Sequence, residues 1–103
     1  MSQGEWTFLS NYGHVLVSLA RDPDARMRDV SEAVGITERA VQQIVRELVG
    51  QGYLRKTKVG RRNSYEVVRA AHLRHELESQ VTLDDFLELL AKGAAPAGRL
   101  PQS

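Results

Sequence analysis

Val30-Ser31-Glu32-Ala33-Val34-Gly35-Ile36-Thr37 is the stretch that decides how this chain folds. Val30, Ala33 and Val34 fall on one side of a helix, Gly35 follows the last of them, and Thr37 stands two residues on as a good cap for the next helix. Glycine takes the left-handed backbone conformation that ends helices, and the short spacing leaves no room for a long loop. A second periodic run starts at Thr37. Val41, Ile44, Val45 and Leu48 form its apolar stripe, and Glu38, Arg39, Gln42, Gln43 and Arg46 fall on the opposite side. The stretch therefore reads as a helix, a tight turn and a second helix with one side buried and the other polar.

Downstream, Gly50-Gln51-Gly52 closes the second of these helices, which spans about residues 37–51. Tyr53-Leu54-Arg55-Lys56-Thr57-Lys58-Val59 then alternates loosely between apolar and basic residues. Ser64-Tyr65-Glu66-Val67-Val68 returns with its own alternation, so the two runs predict a β-hairpin. Between them, Gly60-Arg61-Arg62-Asn63 predicts a turn in which Gly60 and Asn63 supply the unusual backbone angles while Arg61 and Arg62 project.

Upstream, Trp6, Phe8 and Leu9 precede Ser10 and Asn11, either of which can cap a helix carrying Tyr12, Val15, Leu16, Leu19 and Ala20 on its apolar side. Trp6, Phe8 and Tyr12 are expected to pack together at its entrance rather than to line a ligand pocket. Asp22-Pro23-Asp24 ends this helix, because proline lacks the amide donor and disfavours helical geometry before it. Residues 25–27 are placed as a brief strand able to pair with the hairpin. The next helix covers about residues 28–34, with Val30, Ala33 and Val34 as its buried stripe and Arg26 where a short polar cap is usual.

Beyond Arg69, residues 70–80 are charged and read as loop or short helix. Thr82 and Asp85 form a capping-box pattern, and Leu83, Phe86, Leu87 and Leu90 make one apolar stripe that Lys92 and Gly93 close. The tail 94–103 has no pattern and is expected to be disordered. The organisation expected is an arm at 1–10, a domain at 11–69, a connector and helix at 70–93, and the tail. The fold class is mainly α with a small β-hairpin, α+β.

With 103 residues, 42% hydrophobic and 26% charged, the chain has the make-up of one globular domain, not of a disordered or membrane protein. It has no cysteine, which excludes disulfides, thiolate zinc sites and a cysteine nucleophile. No run of about 18 apolar residues and no signal pattern occur, so a cytoplasmic location is expected. The net charge is only +1, but it is unevenly distributed. Residues 36–69 carry eight Lys or Arg against three acids, a local +5, and the flanks carry −2 each. A basic field on a nearly neutral chain is the footprint of a polyanion-binding face, against the alternative of an ordinary solvated surface.

The order of helix, brief strand, helix, Gly35 turn, helix, Tyr53-Leu54 strand, basic loop and return strand resembles the winged helix-turn-helix domain of bacterial transcription regulators of MarR-like and ArsR-like type. The resemblance covers about residues 11–68 and leaves the helix at Thr82 as an additional C-terminal element. It rests on the run from Asp29 to Thr37, then Val41 to Leu48, Gly52-Tyr53-Leu54 and Gly60-Arg61-Arg62-Asn63. The chain lacks the long terminal helices of full-length MarR proteins and the cysteine metal-sensing motif of many ArsR members. The resemblance thus supplies no case for a small-molecule effector or for metal regulation through that motif.

The resemblance implies a sequence-specific regulator of double-stranded DNA, with the helix at 37–51 in the major groove and the wing at about 59–64 on the minor groove or backbone. Arginine and glutamine make paired hydrogen bonds to guanine and adenine edges, which points to Arg39, Gln42, Gln43 and Arg46 for base or nearby backbone contact. Thr37 suits a phosphate as well as a cap. Lys56, Lys58, Arg61, Arg62 and Asn63 are placed on phosphate or in the minor groove. The bland alternatives are a solvated helix face for the first group and an edge-protecting turn for the second. A homodimer is expected, with Trp6, Phe8, Leu83, Phe86, Leu87 and Leu90 as its contacts, since the last helix needs a surface to cover. The competing reading is a winged-helix module that binds protein or RNA and has no operator. No metal site or other cofactor is expected, because His14, His72, His75 and Glu76 offer no third clustered ligand. No acid pair, nucleophile-base set or phosphate-cradling loop marks an enzyme.

Overall fold

The computed structural model describes residues 7–93. Trp6 and the tail 94–103 lie outside the described residues. The chain divides into two compact units, Met1–Val67 and Val68–Ser103. The fold is a winged helix, with four α-helices and a two-stranded antiparallel hairpin among the described residues.

The first unit contains α1 (Asn11–Arg21), α2 (Met27–Val34), α3 (Glu38–Gly50), β1 (Leu54–Val59) and β2 (Arg62–Val67). The three helices pack on one another, α1 also meets β2, and α3 meets β1. Val15, Leu16 and Leu19 of α1, Val30 of α2, and Val41, Ile44, Val45 and Leu48 of α3 form the core with Leu54, Tyr65 and Val67 of the hairpin. Each of these helical residues comes from the side that the 3.6-residue periodicity marks as apolar. Fully burying an aliphatic side chain contributes about 1.5–3 kcal/mol, so this set dominates the unit's stability.

The helix ends follow their chemistry. The Ala40 amide donates to Thr37 Oγ1 at 3.0 Å, so Thr37 caps α3 with its side chain. Gly35 ends α2 at φ 89°, and the Ser31 carbonyl accepts from both the Gly35 and Ile36 amides, which satisfies an orphan acceptor of the last turn. At the start of α2 the Asp29 carboxylate accepts from the Arg26 amide at 3.3 Å. Arg26 has no acceptor to return that bond, so the box is half made.

Five details depart from the sequence reading. Residues 25–27 form no strand: the hairpin partner is the preceding Pro23, whose carbonyl accepts from the Tyr65 amide at 3.0 Å. Proline has a carbonyl to give but no amide to continue a ladder, so the pairing stops there. Ser31, not Ala33, completes the buried side of α2, and its hydroxyl donates to the Arg28 carbonyl at 2.8 Å, which lets a polar residue sit inside. The hairpin turn is shorter than expected. Arg62 and Asn63 are already in β2, opposite Val59 and Lys58, so Asn63 belongs to the strand, and Gly60, at φ 63°, supplies a left-handed angle in the turn. Tyr12 is 42% exposed because its polar end reaches α3 rather than the core. Phe8 is 94% exposed and does not pack against the helix entrance.

The second unit is built around α4 (Leu83–Gly93). Its first three amides all find acceptors. Leu83 donates to the Ala71 carbonyl at 2.8 Å, Asp84 to the Arg69 carbonyl at 2.9 Å, and Asp85 to Thr82 Oγ1 at 3.1 Å. Asp85 Oδ2 in turn accepts from the Thr82 amide at 3.1 Å, which completes the expected capping box. The connector is held by a bridge between His72 and Thr82, by the Leu73 amide on the Val81 carbonyl, and by Arg69 paired to Asp84 at 2.6 Å. It contains a one-turn 3-10 helix, Glu76–Glu78. Leu83 and Leu87 are buried, Phe86 and Leu90 half-buried, and Leu89 is 66% exposed.

Candidate nucleic-acid interface

All ten residues singled out for DNA contact are exposed: Thr37, Arg39, Gln42, Gln43, Arg46, Lys56, Lys58, Arg61, Arg62 and Asn63. On α3, Arg39, Gln43 and Arg46 follow one another at i, i+4 and i+7. They make a line directly opposite Val41, Ile44, Val45 and Leu48. Gln42 lies on the flank of that line that also carries Glu38. Glu38 pairs with Arg28 of α2 at 3.9 Å, so this flank is the one turned towards α2. The opposite flank carries Glu47 and is turned towards the start of α1.

Glu47 is a junction. One carboxylate oxygen accepts from the Tyr12 hydroxyl and the other from Gln43 Nε2 at 2.9 Å. The Tyr12 hydroxyl, and after it the Gln43 amide, hold the Glu47 carboxyl below its ordinary range. The same Tyr12–Glu47 bond pushes the tyrosine hydroxyl upwards, because the proton is held between the two groups. In the sequence Glu47 reads only as a charge and Tyr12 only as a packing residue. The Gln43–Glu47 spacing of four was a usable signal for their contact, but nothing local pointed to Tyr12, 35 residues from its partner.

On the hairpin, side chains alternate between faces. Leu54, Tyr65 and Val67 are the inner ends of a face that continues towards the tip as Lys56, Lys58 and Asn63. The inner part is core and the outer part is a basic surface. Arg62 lies on the other face, with Nη2 donating to the Asp24 carbonyl at 2.5 Å. Ser64 Oγ donates to the Pro23 carbonyl at 3.4 Å, so the α1–α2 linker covers the outer edge of β2. Arg61 occupies the turn. Arg55 and Glu66, paired across the strands at 3.1 Å, neutralise each other at the base of the wing and leave its positive charge towards the tip.

The histidines of the second unit have local work. His72 Nδ1 donates to the Ser79 carbonyl at 2.8 Å, and His75 Nδ1 accepts from the Leu77 amide at 3.0 Å. Among the described residues, no group of three or more His, Cys, Asp or Glu is placed to hold a metal ion. Among them also, no helix is long and apolar enough to cross a membrane.

A family model described as winged helix-turn-helix DNA-binding matches residues 14–55, which run from α1 through α3 into β1. No relative is found among curated protein sequences. Among solved structures, the chain is similar to T. potens IscR, with a TM-score of 0.58 and 13% identity over 95% of this chain and 94% of that one. At that identity the likeness shows the winged-helix fold.

Proposed function

We propose that this chain is a transcription regulator of the MarR-like or ArsR-like kind that binds double-stranded DNA sequence-specifically, in the bacterial cytoplasm. The observation that carries the reading is the exposed line Arg39, Gln43 and Arg46 on α3, flanked in the same unit by a basic wing. An α-helix fits the major groove, and these side-chain types match the donor and acceptor pattern of base edges there. Lys56, Lys58, Arg61 and Arg62 then meet phosphates or the minor groove, with Asn63 beside them. The family model, described as DNA-binding and matching residues 14–55, supports the same reading.

The regulator acts as a homodimer. Of the contacts expected for it, Leu83 and Leu87 are already buried, so a second copy meets Phe86 and Leu90 together with exposed Leu89, and Phe8 adds a further exposed apolar side chain. A twofold pair places two recognition helices about 34 Å apart, one turn of duplex. The test is selection of bound duplexes from a random pool, repeated with Gln43→Ala. Enrichment of a palindrome by the parent protein, with preference lost at one position in each half-site in the variant, is the expected result. A pool that emerges unenriched contradicts the reading and favours a protein- or RNA-binding module.

A further inference from the structure

Gln43 stands in the middle of the outward line of α3, and its side chain is tethered. Its Nε2 donates to Glu47 Oε2 at 2.9 Å. The orientation of the amide follows from chemistry: an ionised carboxylate only accepts, so the NH2 end of Gln43 must face Glu47 and its carbonyl oxygen must face away. A glutamine and glutamate four apart on an exposed helix would ordinarily exchange freely with water. Here the carboxylate has a second anchor. Its other oxygen accepts from the Tyr12 hydroxyl, which comes from a different helix and 35 residues away. With one donor on each oxygen, the Glu47 carboxylate is anchored at both ends, and the Gln43 amide is bonded to that anchored group.

From this geometry we infer that Tyr12 is a positioning residue for base readout: acting through Glu47, it fixes the direction in which the Gln43 amide meets a base edge. The inference rests on the proposed reading that Gln43 faces the major groove. An amide fixed in this way offers its carbonyl oxygen and its one remaining N–H. Adenine matches that pair, giving an N6 donor to the oxygen and an N7 acceptor to the N–H, whereas guanine presents acceptors at both O6 and N7. A glutamine free to turn its NH2 outward would accommodate guanine as well. Tyr12 therefore narrows the choice of base without touching DNA.

The test uses the full chain and the variant Tyr12→Phe, which keeps the ring and removes only the exposed hydroxyl. In the free protein, 15N relaxation of the Gln43 side-chain NH2, assigned by its loss in Gln43→Ala, reports whether the amide is held. Binding is then measured to selected duplexes carrying each base at the position where Gln43→Ala loses preference. The expected result is an ordered amide in the parent protein that becomes mobile in Tyr12→Phe, with the adenine-over-guanine preference falling about fivefold. Affinity for unselected duplex should stay unchanged. An amide already as mobile as that of exposed Gln80 in the parent protein overturns the inference while leaving DNA binding intact. An unchanged base preference in Tyr12→Phe also overturns it. An ordered amide in a protein that selects no duplex refutes the DNA reading itself, and the claim about Tyr12 goes with it.

Discussion

Arg62 in β2 donates to the backbone carbonyl of Asp24 at 2.5 Å, joining the wing to the linker between α1 and α2 across 38 residues of sequence. The bond gives Arg62 a structural role that its neighbour Arg61, in the turn, does not share. With Ser64 and Tyr65 on the Pro23 carbonyl, it covers an edge that would otherwise present unpaired backbone groups.

The two arginines should therefore separate on substitution. Arg61→Ala is expected to weaken duplex binding and to lower the salt slope by about one, with little change in unfolding midpoint. Arg62→Ala should weaken binding too, but it should also destabilise the fold by roughly 0.5–1.5 kcal/mol, the usual net value of one hydrogen bond. Urea titrations beside duplex binding check both, and equal stability losses would remove the structural distinction.

Two glycines make opposite predictions although neither has a neighbour within 4 Å of an added Cβ. Gly35 ends α2 at φ 89°, so Gly35→Ala should cost about 1 kcal/mol from backbone strain alone. Gly50 is the last residue of α3 and has helical geometry, so Gly50→Ala should stabilise by about 0.4–1 kcal/mol through lost freedom of the unfolded chain. Denaturant midpoints of the two variants decide it, and the same sign for both would contradict the account.

The Tyr12–Glu47 bond predicts a pH window. The Glu47 carboxyl is lowered from its ordinary 4.5, so its contribution is present above that value and is lost as pH falls through the lowered one. The Tyr12 hydroxyl is raised from its ordinary 10.0, so its contribution is full below that value and is lost as pH rises through the raised one. The stability difference between the parent protein and Tyr12→Phe should be level between these limits and shrink outside both. A difference that persists unchanged into strong acid would mean that the hydroxyl acts through something other than this carboxylate.

Much of this was legible in the sequence because it is local. The Gly35 turn, the Thr37 cap and the Thr82–Asp85 box depend on residues within a few positions of one another, and each formed as its chemistry requires. The apolar spacing of α3 likewise identified both the residues that would be buried and those left outside. The missed features are bonds between distant segments. Pro23 in place of a strand at residues 25–27, Arg62 on Asp24, and Tyr12 on Glu47 are consequences of packing, which no local pattern encodes.

The most direct test of the central claim is the salt dependence of binding to a duplex selected from the random pool. Lys56, Lys58, Arg61, Arg62 and one arginine of α3 are expected to neutralise about five phosphates per subunit. The logarithm of affinity should then fall against the logarithm of salt with a slope of about −4 to −5 per subunit, and Lys56→Ala with Lys58→Ala should make it shallower by about two. A flat response, or a slope unmoved by removing those two lysines, would contradict the assignment of this face to DNA.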